Sequence, residues 1–408
     1  MKKKIALGFG NNIDYEIIWD SGIIENLIRE YGISDRELSA DIAINSERDL
    51  LVSILGFIKS GCGGERFVSS CDIIETFAAR FGYRITLGGT AVRAAAAMRK
   101  LGHSSVIHLV TINDHVRERI PDDCAYICSA EEENLFPHLI VQYGGGTRIT
   151  AADIDICADR GDRMIYVNDR DNSEMKINED FAGLVTEAKV LLISGFNAMR
   201  DPSLLEERLK TLLKIISALP ESSLVFYEDA CFHQAEMRKQ LRDALADKIN
   251  IFSMNEDELQ GHLERKLDLL DPNQVAGALA DIHKLIPSPL IVVHTRHWAL
   301  AYGENAVSFE EALKGGIKMA TARIRYGDDF TAENYHETEM CTAKREGARF
   351  AAEMNRLLHK KVCCLPSLEP GGFQTATVGL GDAFVGGFLA ALADADSETL
   401  QNSKGDEI

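Results

Sequence analysis

The stretch that decides the fold is TVGLGDAFVGGFLAAL at residues 377–392, in which two glycines and one acid open an apolar helix. It closes a series of short apolar runs that alternate with helix-length segments. The runs are KIALGF (4–9), SSVIHLVTI (104–112), KVLLISGF (189–196), SLVFYE (223–228), NIFSMN (250–255) and PLIVVHTR (289–296). Short runs of this kind, several of them apolar throughout, predict a doubly wound α/β fold with a mostly parallel sheet and helices on both faces.

The acid of that stretch, Asp382, has two interpretations. As a capping residue, its carboxylate gains from the free N–H groups and the dipole at the start of the helix. As a catalytic base, it accepts the proton of an arriving hydroxyl, while the N–H groups of Gly379, Leu380 and Gly381 hold an anion. The residues alone leave both interpretations open.

Composition excludes several function classes. The formal net charge of −19 over 408 residues argues against a general nucleic-acid binder, because phosphate backbones are gripped by basic surfaces. No apolar run approaches the ~20 residues of a membrane span. Nine cysteines without a secretion signal predict reduced thiols in a cytoplasmic protein.

Two segments fit the alternation poorly. Residues 15–86 read as helical and charged around a glycine-rich SGCGGER at 60–66, and residues 136–171 contain β-like runs separated by glycine. Together they predict a small, discontinuous lid domain. The large catalytic domain then comprises residues 1–14, 87–135 and 172–408.

Several predicted strands end in polar residues. In an open α/β sheet, ligands bind outside the carboxyl ends of the strands, so these residues outline a site. They are Asn12, Asp14, Ser194 with Gly195 and Asn197, Glu228, Asn255, His294 and Thr295.

Two further patterns each have a structural and a functional interpretation. Gly88 and Gly89 precede an alanine-rich helix that opens near Thr90, which favours either close packing or close approach of a ligand. Glu258 follows Asn255 in SMNEDE, either as a helix-capping acid or as a holder of Mg²⁺ through water. Neither a Rossmann GxGxxG nor a Walker lysine motif is present.

The order of these blocks resembles the ribokinase-like sugar kinases, and more closely their ADP-dependent glucokinase and phosphofructokinase branch. The matching blocks are ALGFGNNID, LGGTAVRAAA, PHLIVQY, LLISGF, SMNEDE, VVHTRHWAL and TVGLGDAF. The resemblance implies transfer of the β-phosphoryl group of ADP·Mg²⁺ to a sugar hydroxyl, with AMP as the other product. The expected partners of this chain are sugar and nucleotide small molecules. We expect the chain to be a monomer or a small homo-oligomer.

The resemblance also implies residue roles. Asp382 would be the base, and Gly379, Leu380 and Gly381 would form the anion hole. The implied substrate-binding residues are Asn12, Asp14, Glu65, Gly88, Gly89, Thr90 and His138. Asn255, His294 and Thr295 would contact the nucleotide, and Glu228 and Glu258 would serve the metal ion.

The sequence departs from the branch at two positions: Phe226 replaces the histidine of its H-x-E motif, and Thr90 stands where the branch more often has Asn or Gln. The choice of sugar stays open: Glu65 suits a free sugar, whereas Arg148, Arg163 and Arg170 are either phosphate ligands or surface charges. We expect glucose rather than fructose 6-phosphate. An ATP-dependent sugar or nucleoside kinase, or a catalytically silent sugar or nucleotide sensor, are the alternatives.

Overall fold

The computed structural model describes residues 5–232, 234–371 and 378–395, so Thr377 of the opening stretch lies outside them. The strands are β1 Ile5–Leu7, β2 Asn12–Ile17, β3 Gly64–Phe67, β4 Tyr83–Gly88, β5 Val106–Leu109, β6 Ala125–Cys128, β7 His138–Tyr143, β8 Arg148–Ala151, β9 Ile154–Cys157, β10 Asp162–Val167, β11 Val190–Ile193, β12 Leu224–Glu228, β13 Ile251–Asn255, β14 Leu290–His294, β15 Trp298–Gly303 and β16 Val362–Pro366.

The α-helices are α1 Ser21–Tyr31, α2 Glu47–Ser60, α3 Cys71–Ala78, α4 Thr90–Arg99, α5 Asp114–Arg119, α6 Arg170–Glu174, α7 Phe181–Leu184, α8 Pro202–Ser217, α9 Ala235–Leu245, α10 Glu256–Leu263, α11 Pro272–Leu285, α12 Glu310–Tyr326, α13 Ala332–Glu337, α14 Arg345–Leu358 and α15 Leu380–Asp394. Short 3₁₀ segments occupy Asp35–Glu37, Phe196–Ala198, Ala306–Phe309, Gly327–Asp329, Thr338–Met340 and His359–Lys361.

The larger sheet has nine strands in the order β16-β15-β14-β13-β12-β11-β1-β5-β6. Its strands from β14 to β6 pair in parallel, whereas β15 and β16 add an antiparallel edge. Strands β1, β5, β11 and β14 are buried along their whole length, as expected for parallel strands covered on both faces. The predicted α/β fold with a mostly parallel sheet is confirmed.

The smaller sheet has five strands in the order β3-β10-β7-β2-β4, and β8 and β9 form a separate hairpin. Helices α1, α2 and α3 lie in the same part of the chain. Residues 15–86 are helical over α1, α2 and α3, as expected, but they also contain half of β2, all of β3 and most of β4. The strand β2 was hidden by its polar residues Asn12, Asp14 and Glu16, which are all buried.

Helices α4, α12 and α15 lie beside the larger sheet and pack closely against one another through small residues. A Cβ atom on Gly315 of α12 would lie 2.5 Å from the carbonyl oxygen of Gly387 in α15. A Cβ atom on Gly386 would lie 3.1 Å from the carbonyl oxygen of Ala94 in α4. The absence of side chains at these contacts lets α4 and α12 pack closely against the middle of α15.

None of the helices in the described parts of the chain is long and apolar enough to cross a membrane. All nine cysteines lie among the described residues, and each is a free thiol.

Candidate active site

The helix α15 begins at the centre of the candidate site. Gly379 is its N-cap in the left-handed conformation, with a φ of 71°, and no side-chain cap is present there. Asp382 is the third helical residue, and its side chain is 22 % exposed. Helix N-terminal N–H groups have no partner within the helix, so this end can receive an anion.

One side of this helix end holds the charges of Asp14, Glu16, Arg93, His138 and Arg323, which we call the arginine flank. Arg93 of α4 donates from Nη2 to Asp14 Oδ2 at 2.7 Å and to Glu16 Oε1 at 3.5 Å. Its Nε lies 3.8 Å from Asp382 Oδ2. The arginine therefore links the predicted sugar-binding acid to the predicted base.

Burial and charge act against each other in this flank. Burial raises the pKa of Asp14 above its usual range, although Arg93 and His138 oppose that rise. Burial acts to lower the pKa of Arg93, but the carboxylates of Asp14, Asp382 and Glu16 outweigh it, so that pKa is raised. Arg93 is therefore a permanent cation inside the protein.

Asn12 and His138 complete the surroundings of Asp14. Asn12 Nδ2 donates to Asp14 Oδ1 at 2.6 Å, and His138 Nδ1 lies 4.0 Å from the same oxygen. His138 Nε2 lies 3.0 Å from Asp169 Oδ2. Burial alone would lower the pKa of His138, but Asp169, Asp14 and Glu65 raise it, which places Glu65 within electrostatic range of His138.

The other side of the helix end holds Glu228, Asp229, Glu258, His262 and His294, which we call the carboxylate flank. His294 Nε2 lies 3.0 Å from Glu228 Oε1. The His294 ring stacks on Phe384 of α15 with centroids 4.7 Å apart. A Cβ atom on Gly381 would lie 3.4 Å from His294 Cε1, so this flank directly borders the predicted anion hole.

Glu228, Asn255 and His294 are the last residues of the adjacent strands β12, β13 and β14. The strand-end pattern thus brings them to one edge of the sheet.

Asn255 and Glu258 form a capping box at the start of α10. Asn255 Oδ1 accepts from the N–H groups of Asp257 and Glu258, and Glu258 Oε2 accepts from the N–H of Asn255 at 2.6 Å. The capping interpretation of Glu258 is therefore realised in the structure. Burial and the nearby Asp229 and Glu228 nevertheless raise the pKa of Glu258 well above its usual range.

The carboxylate flank also contains a buried pair formed by Asp229 and His262. Asp229 Oδ2 lies 2.7 Å from His262 Nε2, and Tyr227 donates its hydroxyl to Asp229 Oδ1 at 3.2 Å. Among the described residues, no group of three or more His, Cys, Asp or Glu is placed to hold a metal ion directly.

Gly88 and Gly89 are tightly packed in the structure, in agreement with the packing interpretation of this pair. A Cβ atom on Gly88 would clash with the amide of Asn12, and one on Gly89 would lie 2.6 Å from the carbonyl oxygen of Gly10. Gly89 has a φ of 97° and is the N-cap of α4, which Thr90 opens. The pair thus lets the chain pass from the smaller sheet directly into the helix that carries Arg93.

Other predicted positions lie apart from the helix end or serve local structure. Thr295 Oγ1 accepts from the N–H groups of His297 and Trp298 in the turn between β14 and β15. Arg148 forms an exposed double hydrogen bond with Asp155. Arg163 and Arg170 are exposed.

Phe226, at the position of the family histidine, is fully buried and packs on Phe388 with ring centroids 5.5 Å apart. It fills the core under α15.

Sequence reasoning missed Arg93 and Arg323. The available signal for Arg93 was a lone arginine in the alanine run TAVRAAAA, where a buried charge demands a partner. Arg323 lies in the last turn of α12, where a basic residue normally serves the helix dipole, so nothing local distinguished it.

Comparison of the fold with solved structures defines a class. The structure is similar to a phosphofructokinase from Pyrococcus horikoshii OT3 with AMP, with a TM-score of 0.76, 16 % identity and coverage of 98 % of this chain and 99 % of the other. It is also similar to an ADP-dependent kinase in complex with fructose-6-phosphate and ADPbetaS, with a TM-score of 0.74, 13 % identity and coverage of 100 % and 95 %. The fold is that of the ADP-dependent kinases.

Sequence comparison identifies the family. The family model described as "ADP-specific Phosphofructokinase/Glucokinase conserved region" matches residues 3–390. The chain is 24 % identical to the ADP-dependent glucose/glucosamine kinase of Pyrococcus furiosus, over 96 % of this chain and 95 % of that protein. This chain belongs to the ADP-specific phosphofructokinase/glucokinase family. It is a phosphotransferase with a sugar hydroxyl as acceptor and ADP as donor.

Proposed function

We propose that this protein transfers the β-phosphoryl group of Mg-ADP to a hexose hydroxyl and releases AMP, with glucose favoured over fructose 6-phosphate. The observation that carries the proposal is the position of Asp382. It stands at the open start of α15, between a flank that contains arginines and a flank that contains surplus carboxylates.

The proposed step balances as follows. The acceptor hydroxyl oxygen forms a bond to the β-phosphorus of ADP, and the bond from that phosphorus to the α–β bridging oxygen breaks, so that AMP leaves. The hydroxyl proton passes to the carboxylate of Asp382. Gly379, Leu380 and Gly381 offer backbone N–H groups to the phosphoryl oxygens, because catalysis of this reaction rests on positioning and on stabilising charge.

The residues of the carboxylate flank fit the Mg²⁺ that the family implies. Glu228 Oε2 is buried without a hydrogen-bond partner among the described residues. The pKa of Glu258 is raised by burial and by the neighbouring acids, and a cation nearby would relieve that repulsion. We propose that Glu228 and Glu258 hold the ion through water, since Mg²⁺ keeps several of its waters. When bound, it neutralises phosphate charge.

Three observations support glucose. Arg148, Arg163 and Arg170 are exposed and Arg148 is paired with Asp155, which favours the surface-charge interpretation of these arginines over a phosphate site. The relative from Pyrococcus furiosus is named for glucose and glucosamine. Glu65, which acts electrostatically on His138, offers a hydrogen-bond acceptor to a free sugar.

The decisive experiment crosses ADP and ATP with glucose and fructose 6-phosphate in the presence of Mg²⁺ and follows AMP or ADP release. AMP formed from ADP with glucose supports the proposal, and faster turnover of fructose 6-phosphate would reverse the sugar assignment. Turnover with ATP alone would refute the donor. Binding of sugar or nucleotide without any turnover would indicate the silent sensor.

We further expect a cytoplasmic monomer or small homo-oligomer that binds neither nucleic acid nor membranes, in keeping with its net charge of −19. Size-exclusion chromatography with light scattering tests the oligomeric state.

A further inference from the structure

The guanidinium group of Arg93 is only partly used by the protein. Its Nη2 holds Asp14 at 2.7 Å, and its Nε lies 3.8 Å from Asp382. Its Nη1 is buried and has no hydrogen-bond partner within residues 5–232, 234–371 and 378–395. Arg93 as a whole is 8 % exposed, so water cannot freely satisfy that atom. A buried unsatisfied donor in a cation calls for an explanation.

The free Nη1 points at the start of α15. A Cβ atom on Gly379 would clash with Arg93 Nη1 and would lie 3.1 Å from Arg323 Nη2. Two guanidinium groups, one from α4 and one from α12, therefore converge on this glycine. The close packing of α4 and α12 on α15 brings them there.

Arg323 is held in place independently. Its Nε donates to the carbonyl oxygen of Val378 at 3.0 Å, and its Nη1 pairs with Asp328. Burial and the nearby charge of Arg93 lower the pKa of Arg323 to about 10. Two cations that repel each other beside free helix N–H groups form a site that an anion would stabilise.

We propose that Arg93 is a catalytic residue that donates from Nη1 to the phosphoryl group in transfer, with Arg323 beside it. This inference rests on the proposed kinase function and assigns to Arg93 a role that the sequence motifs do not contain. Nη2 of the same guanidinium group holds Asp14, the proposed sugar-binding acid. One planar cation would therefore contact both the phosphoryl group and the acid that binds the acceptor sugar. Arg93 stabilises the charge that develops on the phosphoryl oxygens, while Asp382 accepts the proton.

The test compares Arg93→Gln and Arg93→Lys with Arg99→Gln in the complete chain. Arg99 lies on the same helix and forms an exposed ion pair with Asp123, so it is the matched control. We expect Arg93→Gln to lower kcat for AMP formation about 10²- to 10³-fold, as for other donors to developing charge. The Lys variant should retain part of the activity, and Arg99→Gln all of it. Thermal unfolding establishes that each variant folds.

Chemical rescue separates catalysis from structure. Added guanidinium ion should restore part of the turnover of the Gln variant, which a merely structural role would not predict. Unchanged kcat in the Gln variant would overturn the inference while leaving the kinase function intact. Loss of activity without rescue, and with unfolding of both variants, would assign Arg93 a structural role instead.

A calorimetric measurement of inorganic phosphate binding tests the anion site without requiring turnover. The wild-type protein should bind phosphate, and Arg93→Gln should bind it about tenfold or more weakly, because a charge-assisted hydrogen bond is lost. If no sugar were phosphorylated, this difference would preserve the anion site while the kinase proposal failed. Equal phosphate binding by the wild-type and Gln proteins, or none by either, would refute the site.

Discussion

The two flanks of α15 contain similar numbers of charged groups, but they differ in which kind of group is left without a hydrogen-bond partner. In the arginine flank, the cation Arg93 is paired with Asp14, and its Nη1 has no hydrogen-bond partner among the residues that the structure describes. In the carboxylate flank, Glu228 is paired with His294, and its Oε2 has no partner in the described part of the chain. The first flank thus has an unsatisfied hydrogen-bond donor and the second an unsatisfied acceptor. Under the proposed function, a nucleotide phosphate with its metal ion would satisfy both atoms at once.

The largest expected effect comes from the group between the flanks. Asp382→Asn should lower kcat about 10²- to 10⁴-fold, since proton transfer by a positioned base contributes that much. ADP binding measured by calorimetry should be nearly unchanged, because the base acts mainly in the transition state. Asp394→Asn is the control, since Asp394 lies at the exposed other end of the same helix. Near wild-type turnover in Asp382→Asn would remove Asp382 from the mechanism.

The carboxylate flank is tested by Glu258→Gln. Glutamine at this position preserves the capping box, so stability should change little. Without its charge, the magnesium concentration for half-maximal activity should rise about 10- to 100-fold, as for other groups that support a bound metal. Asp257→Asn, in the same helical turn but exposed, should leave it unchanged. An unaltered magnesium requirement in Glu258→Gln would reduce Glu258 to a helix cap.

The helix packing that positions the arginine flank is tested by Gly387→Ala. The added Cβ would clash with the carbonyl oxygen of Gly315, so the free energy of unfolding should fall by about 1–3 kcal/mol, as in other overpacked cores. Gly277→Ala in α11 meets nothing within 4 Å and should instead stabilise the protein by about 0.5–1 kcal/mol. Urea denaturation measures both. A neutral Gly387→Ala variant would show that α12 and α15 can separate without cost.

The smallest effect concerns His138 and its dependence on pH. The folded-state pKa of His138 is raised by Asp169 and Asp14 in spite of burial. Its ion pair therefore contributes stability fully below about pH 6.5, and that contribution is lost as the pH rises through the raised pKa.

His138→Gln should thus remove about 1 kcal/mol at pH 6 and less at pH 8, measured by urea denaturation. His336→Gln, an exposed histidine with a loose 3.9 Å ion pair, is the control. A His138→Gln deficit that is the same at both pH values would contradict the ion-pair account.

Much of the larger sheet could be predicted because burial on both faces leaves continuous apolar runs. Strands β5, β11, β12, β13 and β14 follow such runs. The edge strands β15 and β16 were not predicted, since they pair antiparallel outside the alternation. The strand β2 was missed because its buried polar residues do not resemble a core strand.

The candidate site could be predicted only where sequence position fixes geometry. Strand-end residues such as Glu228 and His294 meet because parallel strands end at one edge. The convergence of Arg93 and Arg323 depends on how α4 and α12 pack against α15, which tertiary contacts of glycine and alanine decide. No local pattern around either arginine contains that information.

The position of β1 in the larger sheet has a consequence for synthesis of the chain on the ribosome. This strand, Ile5–Leu7, pairs with β5 on one side and with β11, through Val190 to Leu192, on the other. Nearly half of the protein must therefore emerge before both edges of its first strand are covered. Until then the nascent chain exposes an apolar strand edge, which could pair with other chains.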